Sequence, residues 1–153
     1  MSIASDESFH MTEALLNGMI SAISQTIPLE HSINKTSPIG DSILIDFGVF
    51  IGFTGDVKGK LLFSGDNSLF AYIGKALYGM ELEGEMLVSF SGELGNMLAG
   101  GFSTSIESDK INIDITAPTI MEGHTAITGF KDGVKIPVEF PHSRHLAVFL
   151  LLD

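Results

Sequence analysis

In the segment from Leu87 to Phe102 a serine, a glutamate and an asparagine fall at i, i+4 and i+7: Ser89, Glu93 and Asn96. At about 100° per residue on a helix, these three and Gly100 share one stripe. Leu87, Phe90, Leu94, Met97, Leu98 and Phe102 form another on the far side. A helix divided in this way buries one face and presents a carboxylate and an amide, one turn apart, on the other. The amide can be neither a general base nor a useful nucleophile. It can donate and accept hydrogen bonds at once, and so hold a water in a fixed place.

Small residues line the polar stripe: Gly92, Gly95, Ala99 and Ser103. A mid-helix glycine costs roughly 0.5–1 kcal/mol relative to alanine. Two of them flanking Glu93 and Asn96 therefore point to a close approach to the helix backbone. Spacing alone leaves open whether a partner or the N-terminal helix makes that approach. It also leaves open that Glu93 and Asn96 are a solvated polar face and nothing more.

Other elements must position this helix, which is expected over about Gly84 to Ser105. A first helix is predicted from about Asp6 to Ile27, with apolar residues Phe9, Leu15, Leu16, Met19, Ile20, Ile23 and Ile27 at helical spacing, Ser5 or Asp6 as cap and Pro28 as stop. A loop with Asn34, Pro38 and Gly40 leads to β-like runs at Ser42–Thr54 and Lys58–Phe63, joined at Gly55-Asp56. Asp66 or Asn67 opens a helix that Gly79 closes. After the long helix, Ile111, Ile113 and Ile115 alternate with polar residues up to Pro118. Thr125–Phe130 and Val134–Phe140 flank a Lys131-Asp132-Gly133 turn, and His145–Leu152, apolar on both faces, reads as a central strand. The expected fold is α+β, a single domain over residues 1–153. Two long helices pack on a mainly antiparallel sheet, and the order of elements suggests an internal duplication.

The chain carries 19 acidic residues against 8 basic ones, a formal charge of −11. Such a surface repels phosphate backbones and anionic headgroups, so nucleic acid and membranes are not expected partners; solubility is the bland account of the same charge. Absence of cysteine removes disulfides, thiolate catalysis and cysteine-bound metals together. Of five histidines, His142 and His145 lie closest, with no third ligand nearby, so no metal site is expected. The seven methionines read as core filling, Gly123-His124 as turn chemistry, and Glu81 to Glu85 as the acidic start of a helix. The N-terminus lacks the pattern of a signal peptide, and the run Leu146–Leu152 is too short to span a bilayer, which leaves a cytoplasmic address.

Ser89-x3-Glu93-x2-Asn96 followed by Pro118 resembles the signature of the CheC/CheX/FliY chemotaxis phosphatases. The runs Gly92-Glu93-Leu94-Gly95-Asn96-Met97-x-Ala99-Gly100 and Asp114-Ile115-Thr116-x-Pro118-Thr119 are most similar to CheX, as are Gly52-Phe53-Thr54-Gly55, Gly59-x-Leu61 and Lys75-Ala76-Leu77-Tyr78-Gly79-Met80. Pro118 falls one residue short of the usual family spacing and is read as structural. CheC and FliY carry a second Glu-x2-Asn on their first helix. Here Glu13 and Asn17 lie four apart, so the resemblance implies one site per chain. It further implies a CheC-like fold, a homodimer formed through the sheet, and dephosphorylation of a CheY-like response regulator. Asn96 would orient the attacking water and Glu93 would pair with a lysine of the regulator. Ser89, Gly92, Gly95 and Gly100 would face the partner. No cofactor of its own is implied, Mg²⁺ being supplied by the regulator. The rival reading is a non-catalytic module of the same fold, docking on a regulator or on a flagellar-switch-like assembly.

Overall fold

The structure, a computed structural model, describes residues 3–153, with side chains from His10 onward. The elements in order are α1 (Ile3–Thr26), β1 (Ser32–Ile33), β2 (Ser37–Pro38), β3 (Ile43–Gly55), β4 (Gly59–Ser64), α2 (Asn67–Tyr78), α3 (Gly84–Glu107), β5 (Ile113–Ile115), β6 (Thr119–Ile127), β7 (Asp132–Phe140) and β8 (Arg144–Leu152). The first helix begins ahead of the expected cap, and the side chains of Ser5, Asp6 and Phe9 lie outside the described residues. For α2 the end signals act as read. The Asp66 carboxylate accepts from the Leu69 amide at 2.8 Å, and Gly79, in the left-handed region, donates its N–H to the Lys75 carbonyl.

Every strand pairing is antiparallel, in the order β1-β7-β8-β4-β3-β5, with β2 also on β7 and β6 also on β3. This order is symmetric about the β8–β4 pair. Each half of the chain gives one of those central strands and the strand next to it (β4 and β3, β8 and β7), then places its outer strands against the other half. The strand order thus repeats between the halves, as the element order does, with the outer strands exchanged.

That exchange corrects one expectation. Lys131-Asp132-Gly133 does not close a hairpin, because β6 and β7 lie on opposite sides of the sheet. The hairpin is β7–β8, turned by Pro141-His142-Ser143, where His142 and Ser143 both adopt positive φ without a glycine to mark the place. Gly123-His124 is likewise no turn. It lies inside β6, where Thr125 pairs with Ile45 and Glu122 with Phe47, so one extra residue bulges from β6. The strand therefore starts six residues before the expected Thr125.

Alternation sends Val49, Ile51, Phe53, Leu61, Phe63, Val138, Val148 and Leu150 to one face, where all three helices cover them in the main core. The other face carries a smaller cluster of Leu62, Phe149, Leu151, Ile43 and Ile45. The two connections that change sides of the sheet, residues 39–42 and 128–131, bring Ile39 and Phe130 onto this cluster. The last strand is central and buried, as its two-sided apolar sequence requires. No helix among the described residues is long and apolar enough to cross a membrane.

Candidate active site

The long helix α3 is clamped from behind. Leu87, Phe90, Leu94, Leu98, Phe102 and Ile106 are buried in the main core. At Gly95 an added methyl would stand 2.6 Å from Cγ1 of Val49 on the sheet. Where α3 meets α1, a methyl at Gly18 would stand 2.6 Å from Cγ2 of Ile106, and one at Gly101 would stand 3.2 Å from Cβ of Ala22. The close approaches announced by the glycines are therefore made by the chain's own sheet and first helix. This corrects the expectation that Gly92 and Gly95 face a partner: both are buried on the packed side of α3. Gly92 has only ordinary contacts below it, with Ile120 at 3.4 Å and Pro118 at 3.8 Å, so Pro118 supports the helix just under the polar stripe. Gly100 is half-buried with no atom within 4 Å of an added methyl.

On the outward face Ser89, Glu93 and Asn96 are all exposed. The helical rise separates Ser89 from Glu93 by about 6 Å and Glu93 from Asn96 by about 4.5 Å along the axis. Among the described residues no side-chain hydrogen bond or ion pair holds any of the three. Ser91, two residues from Ser89, shows the contrast: it is buried, and its hydroxyl donates to the Leu87 carbonyl at 2.8 Å. A carboxylate and an amide thus stand side by side on a rigid helix, unbonded and open to a second molecule. No three His, Asp or Glu side chains converge as metal ligands among the described residues, and His142 and His145 are both exposed at the β7–β8 turn.

The reading of the methionines as core filling holds for Met19, which is buried in the main core, and for Met11 and Met121, which pack against core clusters. It fails for Met97, 39% exposed, Met86, 55%, and Met80, 49%, of which Met86 and Met97 lie on α3 beside the stripe. A shallow depression of about 550 Å³ runs from Glu93 and Ser89 past Glu85 and Met86 to Tyr78, floored by Leu82 and Phe90. The signal for Met86 and Met97 was in the sequence: at i−7 and i+4 from Glu93 they share its side of the helix.

The family profile described as chemotaxis phosphatase CheX matches residues 47–139, a span that includes Ser89, Glu93, Asn96 and Pro118. The chain belongs to the CheX family. A CheX relative in Thermotoga maritima, named CheY-P phosphatase CheX, is 29% identical over 133 residues, covering 84% of this chain and 86% of that one. The CheX structure from Desulfovibrio desulfuricans superposes with a TM-score of 0.77 at 14% identity, covering 94% of this chain and 99% of that chain. CheX from Borrelia burgdorferi, solved as a complex with CheY, BeF3 and Mg²⁺, gives a TM-score of 0.77 at 21% identity, with coverage of 93% and 97%. The α+β architecture of this CheX-family chain is accordingly that of the CheC-like proteins.

Proposed function

We propose that this chain is a cytoplasmic aspartyl-phosphate phosphatase acting on a phosphorylated CheY-like response regulator. The carrying observation is the exposed Glu93–Asn96 pair, without a side-chain partner among the described residues, on a helix whose other face is locked into the core. In this reading the amide of Asn96 enters the regulator's site and orients a water in line with the acyl phosphate. Water adds to phosphorus, the aspartyl carboxylate leaves with the bonding electrons, and inorganic phosphate is released. Glu93 pairs with a lysine of the regulator and sets the register of the helix. Ser89, one turn further back, makes a peripheral contact, and Gly100 leaves the stripe open at its other end. The charge on the transferring group is met by the regulator's Mg²⁺, in keeping with the Borrelia burgdorferi complex, which contains CheY and that ion.

Both outer edges of the sheet, β5 with β6 and β1 with β2, have no further strand among the described residues. This supports a homodimer that extends the sheet, to be checked by sedimentation equilibrium. A monomer at all working concentrations would remove the dimer from the reading.

The deciding experiment is phosphate release from the phosphorylated regulator with wild-type protein and Asn96→Ala. Acceleration lost in the variant, with binding retained, is the expected result. Binding without acceleration by wild type would leave the rival docking module as the better account.

A further inference from the structure

We propose that the depression beside the catalytic stripe is an anchoring site for a basic and apolar segment of the same regulator, separate from the site that handles the phosphoryl group. The inference rests on the phosphatase reading for the identity of the occupant. Its location comes from the geometry: one continuous surface joins Ser89 and Glu93 to Glu85, Met86 and Tyr78. A molecule that engages Glu93 therefore already overlies the near end of the depression. Met86 lies seven residues from Glu93 and ten from Asn96, about 10 Å and 15 Å along the helix. Contact at both ends needs a macromolecular surface, not a small acyl phosphate.

The lining says what that surface must carry. Leu82 and Phe90, 4% and 2% exposed, form an apolar floor, and Tyr78 stands edge-on to Phe90 at 5.3 Å between ring centroids. Tyr78 and Met86 are each 55% exposed. A rigid aromatic beside an unbranched thioether suits insertion of an apolar side chain, since the methionine can adapt to its shape. The charges that line it are of one sign. Glu85 and Glu93 line the depression, Glu81 and Glu83 lie next to its floor in sequence, and the nearby cation Lys75 is bound to Glu81 at 3.0 Å. Like charge across this rim would be repelled, so the occupant carries lysine or arginine around its apolar side chain.

The test measures binding of the regulator, activated with beryllofluoride and Mg²⁺, by titration calorimetry, alongside steady-state phosphate release. Met86→Ser and Glu85→Lys are expected to raise Kd and KM about tenfold, with kcat at saturating regulator within twofold of wild type. Glu107→Lys makes the same charge change at the far end of α3 and is expected to alter binding less than twofold. Wild-type binding by both Met86→Ser and Glu85→Lys, with Asn96-dependent turnover intact, would overturn the anchor while leaving the phosphatase. Equal weakening by Glu85→Lys and Glu107→Lys would reduce the effect to overall charge and also overturn it. Met86-dependent binding without turnover would keep the anchor and remove the phosphatase reading.

Discussion

α1 and α3 each run for 24 residues, and they meet where Gly18 faces Ile106 and Gly101 faces Ala22. Each also exposes a glutamate and an asparagine near its middle, Glu13 and Asn17 on α1, Glu93 and Asn96 on α3. The difference is one residue of spacing. Three residues turn the amide about 60° to one side of the carboxylate and raise it about 4.5 Å. Four residues turn it about 40° to the other side and raise it about 6 Å. Two halves with the same element order can therefore differ in how a carboxylate and an amide stand to each other, because that pairing is set within one helix and not by the fold around it.

Four measurements bear on that contrast. The largest effect is expected from Asn96→Ala, which should lower phosphate release about 100-fold or more, the range seen when a group poised for the transition state is lost. Glu93→Ala should weaken both binding and turnover, costing about 2–5 kcal/mol if the regulator's lysine is left unpaired in the interface. Calorimetry on the activated regulator reads this directly, and unchanged affinity would remove the ion pair from the account. Gly95→Ala should destabilise the fold by about 1–3 kcal/mol, since Val49 has no flexible end to move aside. Gly92→Ala, with room beneath it, should instead gain about 0.5–1 kcal/mol from helix propensity. Urea unfolding compares the two, and equal behaviour would show that helix and sheet adjust where they meet. The smallest effect is expected for Asn17→Ala, within twofold of wild type in phosphate release. A large loss there would mean that α1 carries a second site, and the contrast between the helices would fail.

Much of this was legible in the sequence. The helical stripes of α3 and the caps Asp66 and Gly79 are local signals, and the two-sided apolar run of β8 announces a central strand. Family motifs then singled out Glu93 and Asn96, which lie exposed on α3. What was not legible depends on contacts between distant parts of the chain. The two glycines at 92 and 95 read alike, yet one lies against Val49 and the other has space, a difference decided by β3 some forty residues earlier. A Lys-Asp-Gly turn cannot say whether the next strand folds back or crosses the sheet. Met97 has the hydrophobic type of the buried stripe, but its angle on the helix places it beside Glu93, where it is exposed.

The exchange of outer strands has a consequence for how the chain must fold. Ser32 pairs with Glu139, and Phe53 with Ile115, so neither half can complete its sheet before the other exists. Loops of this length are closed only at an entropic cost that later contacts must offset. The platform that presents Asn96 is thus interlocked rather than stacked from two finished lobes, and an emerging N-terminal half is left with open strand edges until residues beyond 132 arrive.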